Sequence, residues 1–156
     1  MTFSITHVIP SVFSPATNGT GGDRIEAGVV IVAHGSALSE SKEVYSEIAS
    51  KAREKSGLEV KVGYMKHWKP TIAEAVQSFV EKGMKRIIIV PLFFVPGLHV
   101  TNDIPLLLGL KDGEMPDFGY GRLKLPDDVE IIYARHIGAD DRLADVVVDR
   151  VKEVMR

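Results

Sequence analysis

Apolar residues along this chain fall into two alternating patterns: short continuous runs and longer amphipathic stretches. "AGVVIVAH" (27–34) is unbroken and β-branched, the signature of a strand buried on both faces. Residues 40–56 read as a helix with Val44, Ile48 and Ala52 on its inward side and Gly57 as its stop. "LEVKVGYM" (58–65) alternates, as a strand nearer a sheet edge does. The next helix is predicted from Pro70, a favoured first-turn residue, with Ile72, Ala75, Val76, Phe79 and Val80 at spacings of three and four and Gly83 at its end. "RIIIVPLFF" (86–94) is the most apolar run and is placed at the sheet centre; Pro91 cannot donate to the ladder, so pairing should weaken there.

Beyond it, a short helix is expected through 102–108, then a long irregular loop over 109–128, a strand over 129–135 and a last helix over 139–155. Leu143, Val147, Val151 and Val154 form the inward stripe of that last helix, and Asp140 and Asp141 suit its positive N-terminal end. A strand followed by a helix, four times over, argues a parallel sheet with right-handed crossovers. The predicted fold class is therefore α/β: a single-domain three-layer sandwich with a four-stranded parallel sheet flanked by helices. Residues 1–26, with two prolines and a Gly/Asn/Thr cluster but little periodicity, are expected to be a flexible extension, and 27–156 the folded domain.

Composition narrows the chemistry. The chain has 156 residues, 45% apolar and 26% charged, with a net charge of -2. That is the balance of one soluble domain with no electrostatic case for nucleic acid. The absence of cysteine removes disulfides, zinc ribbons, iron–sulfur clusters and thiol catalysis, so any metal must be held by His, Asp or Glu. No apolar run reaches the ~18 residues of a membrane span, and the N-terminus lacks the pattern of a signal peptide, so no membrane is implied and a cytoplasmic location is expected.

Ligands of open parallel sheets bind beyond the carboxyl ends of the strands. Here those ends are followed by His34-Gly35-Ser36, by Lys66-His67-Trp68-Lys69, by Phe94-Val95-Pro96-Gly97-Leu98-His99 and by Arg135-His136. Four of the five histidines thus fall on one rim. His34 arrives on a buried strand beside a glycine that permits close approach; the plainer reading is a histidine bonded to a neighbouring loop, with Ser36 capping a helix. His99 sits in an apolar loop after Gly97; backbone satisfaction is its plainer reading. If the two meet across the cleft, a two-imidazole site suits cobalt, nickel, iron or zinc and leaves coordination positions open. Asp103 then either backs a histidine or serves a helix start. Lys66, Lys69, His67 and Arg135 make a basic arc suited to an anionic ligand, although each alone reads as solvated charge. Trp68 offers a flat face to a ring, or belongs to the core or to a dimer surface. There is no phosphate loop, so no nucleotide is implied.

The segments "VIVAHGS", "GYMKHWKPTIAEAV", "KRIIIVPLFFVPGLHVTNDIPLLLGL" and "VEIIYARHIGADDRLADVVVDRV" together resemble the small sirohydrochlorin metal chelatases, the short single-domain CbiX type of archaea. The resemblance covers about 27–156 apart from the variable loop near 111–125. It implies the class II chelatase fold, of which longer relatives contain two facing halves, so a homodimer is expected of the short form. It also implies an enzyme, a lyase that inserts cobalt(II) into sirohydrochlorin for cobalamin, or nickel(II) for the nickel tetrapyrrole of methanogenesis. His34 matches the histidine that binds metal and accepts protons, and His99 the second metal ligand. Phe94 to His99 match the loop lining the substrate, and Lys69 stands at a further contact position. No organic cofactor is implied, the metal being a substrate. Lys66 departs from the glutamate that many members carry there, which makes the rim more basic and leaves its role to His67 or to buffer. A tetrapyrrole or metal carrier without catalysis, and an iron-inserting chelatase, are the rival readings.

Overall fold

The computed structural model describes residues 26–156, and the extension expected at the N-terminus lies outside the described residues but for Glu26. Four strands, β1 (Gly28–Ala33), β2 (Glu59–Tyr64), β3 (Arg86–Pro91) and β4 (Glu130–Tyr133), form one sheet in the order β2-β1-β3-β4. All pairings are parallel, with Val29 opposite both Val60 and Ile88, and Ile88 opposite Ile132. The helices are α1 (Glu40–Ser56), α2 (Ile72–Glu81), the short α3 (Ile104–Leu107) and α4 (Asp141–Val154). A single wide π turn, His99–Asp103, leads into α3. The α/β architecture expected from the sequence is the one observed, with β1 and β3 central and β2 at an edge.

The alternation of each strand divides the core in two. Val30, Val32, Ile87 and Ile89 face α2 and α3, meeting Ile72, Val76, Phe79, Ile104 and Leu107 in a cluster of fully buried side chains. Each such side chain contributes about 1.5–3 kcal/mol by leaving water. Part of the 109–128 loop closes over this face through Met115, Phe118, Tyr120, Leu123 and Leu125. The neighbouring residues Ile31, Ala33, Val62 and Tyr64 face the other way, toward α1.

Three expectations are corrected. The inward side of α1 is Tyr45, Ala49 and Ala52, while Val44 and Ile48 are exposed. Tyr45 packs edge-on to Tyr64 of β2, ring centroids 6.1 Å apart, and Ala49 is buried one turn on, so the helix turns Val44 and Ile48 outward. Helix α2 starts at Ile72, not Pro70: Pro70 follows a cis peptide bond, and Thr71 and Glu74 form a reciprocal capping box. The third correction is the largest. No residue of α4 is buried, and Val147, Val151 and Val154 are 63%, 48% and 82% exposed. Its N-terminal cap is nonetheless complete. The Asp140 carboxylate accepts from the Arg142 backbone N–H at 3.0 Å and pairs with that guanidinium, which holds the Asp140 carboxyl far below the usual carboxylate range. Among the described residues, the sheet face on α1's side is covered over β1 and β2 only. Across β3 and β4 its residues Ile88, Val90 and Ile132 remain partly exposed.

Candidate metal site at the carboxyl rim

The rim of the sheet brings two of the histidines together. His34 leaves the end of β1 and His99 opens the π turn after β3, and their ring centroids lie 5.1 Å apart with planes inclined by 45°. The sheet ladder continues a residue or two past the strands to fix them. The Met65 N–H donates to Ala33 O, Lys66 N–H to His34 O and Leu92 N–H to Val32 O. Gly35 is required at this junction. Its φ is +91°, and a Cβ there would stand 2.0 Å from the Lys66 carbonyl oxygen. The backbone crossing that presents His34 is therefore closed to any larger residue.

Hydrogen bonds set which ring nitrogen is free. His34 Nδ1 is 2.9 Å from the Gly35 carbonyl oxygen, and His99 Nδ1 is 2.8 Å from Asp103 Oδ2. Both partners accept, so each neutral ring carries its proton on Nδ1 and keeps its lone pair on Nε2. A divalent metal about 2.1 Å from each Nε2 lies roughly 3.2 Å from each ring centroid, and a shared tetrahedral site then places the centroids about 5 Å apart. The observed separation suits one metal ion. Among the described residues no group of three His, Asp or Glu side chains gathers as a metal cage.

The loop between β3 and His99 lies open. Phe94, Val95 and Leu98 are 68%, 68% and 76% exposed, an apolar wall beside the imidazoles. Pro96 and Gly97 are exposed as well, and the Gly97 carbonyl accepts from the Val100 and Thr101 N–H groups to start the turn. Beneath the wall, Phe93 was not singled out from the sequence, yet its ring centroid is 6.3 Å from that of His99. Tyr133 was also missed. Its hydroxyl donates to the Val100 carbonyl at 2.7 Å, tying β4 to the π turn, and burial pushes the phenol far up. The Tyr133 contact depends on β4 lying beside β3, and the Phe93 contact on the path of the loop between β3 and the π turn.

The basic arc is less concentrated than the sequence implied. Lys66 and His67 are exposed, with His67 in the left-handed region at φ 67°. Lys69 is ion-paired at 2.9 Å with Glu74, within the α2 cap. Trp68 stands edge-on to Tyr64, ring centroids 5.2 Å apart, and belongs to the core on α1's side. Arg135 is exposed and His136 half-buried.

The chain as a whole is similar to several known proteins. A family model described as CbiX matches residues 28–154. A sirohydrochlorin cobaltochelatase of Methanocaldococcus jannaschii is 41% identical over 136 residues, 78% of this chain and 95% of the relative. One of Methanopyrus kandleri is 41% identical over 138 residues, 81% of this chain and 96% of the relative. Among solved structures, a CbiX protein of Marinobacter aquaeolei, described as putative in cobalamin biosynthesis, superposes with TM-score 0.64 at 26% identity, covering 83% of this chain and 97% of that one. SirB of Bacillus subtilis, solved with Fe3+, superposes with TM-score 0.66 at 21% identity; 83% of this chain covers 47% of that one, a likeness of fold.

Proposed function

The chain belongs to the CbiX family, and we propose that it is a chelatase that inserts a divalent metal, cobalt(II) foremost, into sirohydrochlorin, a step toward cobalamin. The observation that carries the reading is the pair of imidazoles, His34 and His99, 5.1 Å apart beyond the carboxyl ends of β1 and β3. The relatives named sirohydrochlorin cobaltochelatase, aligned over almost their whole length, support the substrate.

The chemistry follows from what insertion demands. The metal must be held by few ligands that ring nitrogens can replace, and two imidazoles meet that need where a closed four-ligand cage does not. The tetrapyrrole must lose two N–H protons to a base working near neutrality, which is the range of histidine. A nitrogen bound to metal cannot take a proton, so His34 accepts one proton at Nε2 as the metal leaves it for the macrocycle and passes it to solvent, with the second proton leaving by the same route. Phe94, Val95, Pro96, Gly97 and Leu98 offer the apolar wall against which the macrocycle face lies. Lys66, Lys69 and Arg135 stand on the rim for the peripheral carboxylates, Lys69 exchanging its Glu74 partner for substrate. Nickel(II) makes the same demands of the site and is a second metal substrate in this reading.

The working unit is a homodimer. In support, α4 carries an apolar stripe that nothing among the described residues buries, while Ile88, Val90 and Ile132 leave a partly exposed strip of sheet. Each α4 in the dimer covers the open sheet of its partner, and two rims then face each other. The chain also spans about half of SirB, so two copies supply the mass of the longer protein.

The test is multiple-turnover metallation of sirohydrochlorin with cobalt(II), nickel(II) and iron(II) side by side. Catalysis well above the enzyme-free rate with cobalt supports the reading. Stoichiometric binding without turnover makes the protein a carrier, and a preference for iron makes it a ferrochelatase.

A further inference from the structure

Behind His99 runs a chain of hydrogen bonds whose direction is fixed from its far end. Lys111 Nζ, which can only donate, gives a hydrogen bond to Asn102 Oδ1 at 2.7 Å. That leaves the Asn102 amide nitrogen to face the other way, and it donates to Asp103 Oδ1 at 3.1 Å. The second carboxylate oxygen, Oδ2, meets His99 Nδ1 at 2.8 Å. The Asp103 side chain is 16% exposed, against 37% for His99. The π turn makes the arrangement possible: its wider coil carries His99, Asn102 and Asp103 within five residues and closes with the Ile104 N–H on His99 O.

We propose that Asp103 is a positioning residue for the metal-binding reaction, and that Lys111 and Asn102 orient it so that His99 keeps its proton on Nδ1 and offers Nε2 to the metal. The two histidines are then unequal. His34 is backed by a neutral carbonyl and His99 by a carboxylate, which raises the basicity of a metal-bound imidazole. His99 is the ligand that retains the metal, and His34 the one that lets go. This rests on the proposed chelatase reading for its purpose, but not for its geometry.

The direction of the chain makes an unusual prediction about a near-isosteric change. In Asp103→Asn the new amide oxygen must accept from Asn102, so its NH2 group faces His99 Nδ1. The ring must then accept at Nδ1, its proton moves to Nε2, and the metal-binding lone pair is lost. Adding Asn102→Asp reverses this. The carboxylate at 102 takes Lys111 and the amide NH2 at 103, the amide oxygen turns to His99, and the proton returns to Nδ1.

The experiment uses the full chain, labelled with 15N at histidine, at pH 8. Ring nitrogen shifts report the tautomer, and titration with cobalt(II) alone reports affinity. The wild type should show His99 protonated on Nδ1. Asp103→Asn should show Nε2 protonation and a 10–100-fold weaker cobalt affinity. The double variant should recover the wild-type tautomer and most of the affinity. His34, bonded to Gly35 and not to Asp103, should keep its tautomer throughout and so separates positioning from a general loss of structure. Unchanged His99 shifts in Asp103→Asn, or a double variant no better than the single one, overturns the proposal. Should the single variant fail to fold, Asn102→Asp alone serves. It sets a second carboxylate against Asp103 in place of the amide that orients it and should shift the His99 ring nitrogen signals; wild-type shifts there overturn the proposal as well. If the tautomers behave as stated but the wild type metallates no sirohydrochlorin, the proposed reaction fails and the positioning role stands.

Discussion

Aspartate at Val147 and Val151 together should convert a dimer into a monomer with its sheet intact. Both valines lie on the stripe of α4, 63% and 48% exposed in the single chain. Burying a valine completely is worth about 1.5–3 kcal/mol, so each has roughly 1 kcal/mol still to gain when a partner covers it. Two positions on each of two helices come to about 4 kcal/mol, close to a thousandfold in dissociation constant. Desolvating the new carboxylates can only add to the loss. Sedimentation velocity over a concentration series measures the constant directly. Asp149→Ala, on the opposite side of the helix, should leave it unchanged, since its contact with Lys152 is an exposed pair of little value. A double variant that dissociates at the same concentration as the parent, or a parent that is monomeric at every concentration, rules out an interface through α4.

Gly35→Ala should lower stability by at least about 2 kcal/mol, because a left-handed residue and a Cβ contact with the Lys66 carbonyl are both imposed at once; an unchanged urea midpoint would show that the rim relaxes freely. For Lys69→Ala the expected change is a higher KM for sirohydrochlorin with kcat nearly kept, the mark of lost uniform binding. An unaltered KM would confine Lys69 to its pair with Glu74. Alkaline stability should depend on Tyr120, whose phenol burial pushes up to about 12 from 10.0. The folded state then holds a proton that the unfolded chain releases, so stability is complete below about pH 10 and declines toward pH 12. Tyr120→Phe should flatten that decline in urea titrations at successive pH values, and an equally steep decline would contradict the assignment.

Apolar patterning located the four strands and the helices α1, α2 and α4, while the stretch from 102 to 108 was read only as a short helix and the π turn before α3 was not foreseen. It did less well at saying what each helix touches. On α1 the pattern was read with Val44 and Ile48 inward, but the edge-on contact of Tyr45 with Tyr64 and the burial of Ala49 turn the helix by one position. On α4 the stripe of Leu143, Val147, Val151 and Val154 was read as facing its own core, and an amphipathic pattern cannot tell a helix's own sheet from a partner's. Pro70 drew the start of α2 two residues early, since a proline before a capping threonine looks the same in sequence as one at the first turn.

At the rim, the rule for parallel sheets sufficed to bring His34 and His99 together, because both follow central strands. Phe93, Asn102, Lys111 and Tyr133 were illegible. Their roles depend on the π turn and on contacts between residues up to 33 positions apart, and no local spacing encodes these. Asp103 was visible as a candidate with two readings. The 2.8 Å contact with His99, and the absence of a side-chain cap on α3, favour the first.

The most direct measurement is a crystal structure of the protein with cobalt(II), the metal located by its anomalous scattering. One ion is expected per site, bound by Nε2 of His34 and Nε2 of His99, with its remaining positions open to solvent or substrate. Cobalt bound elsewhere with this pair left empty, or bound through Nδ1 of either ring, would contradict that assignment.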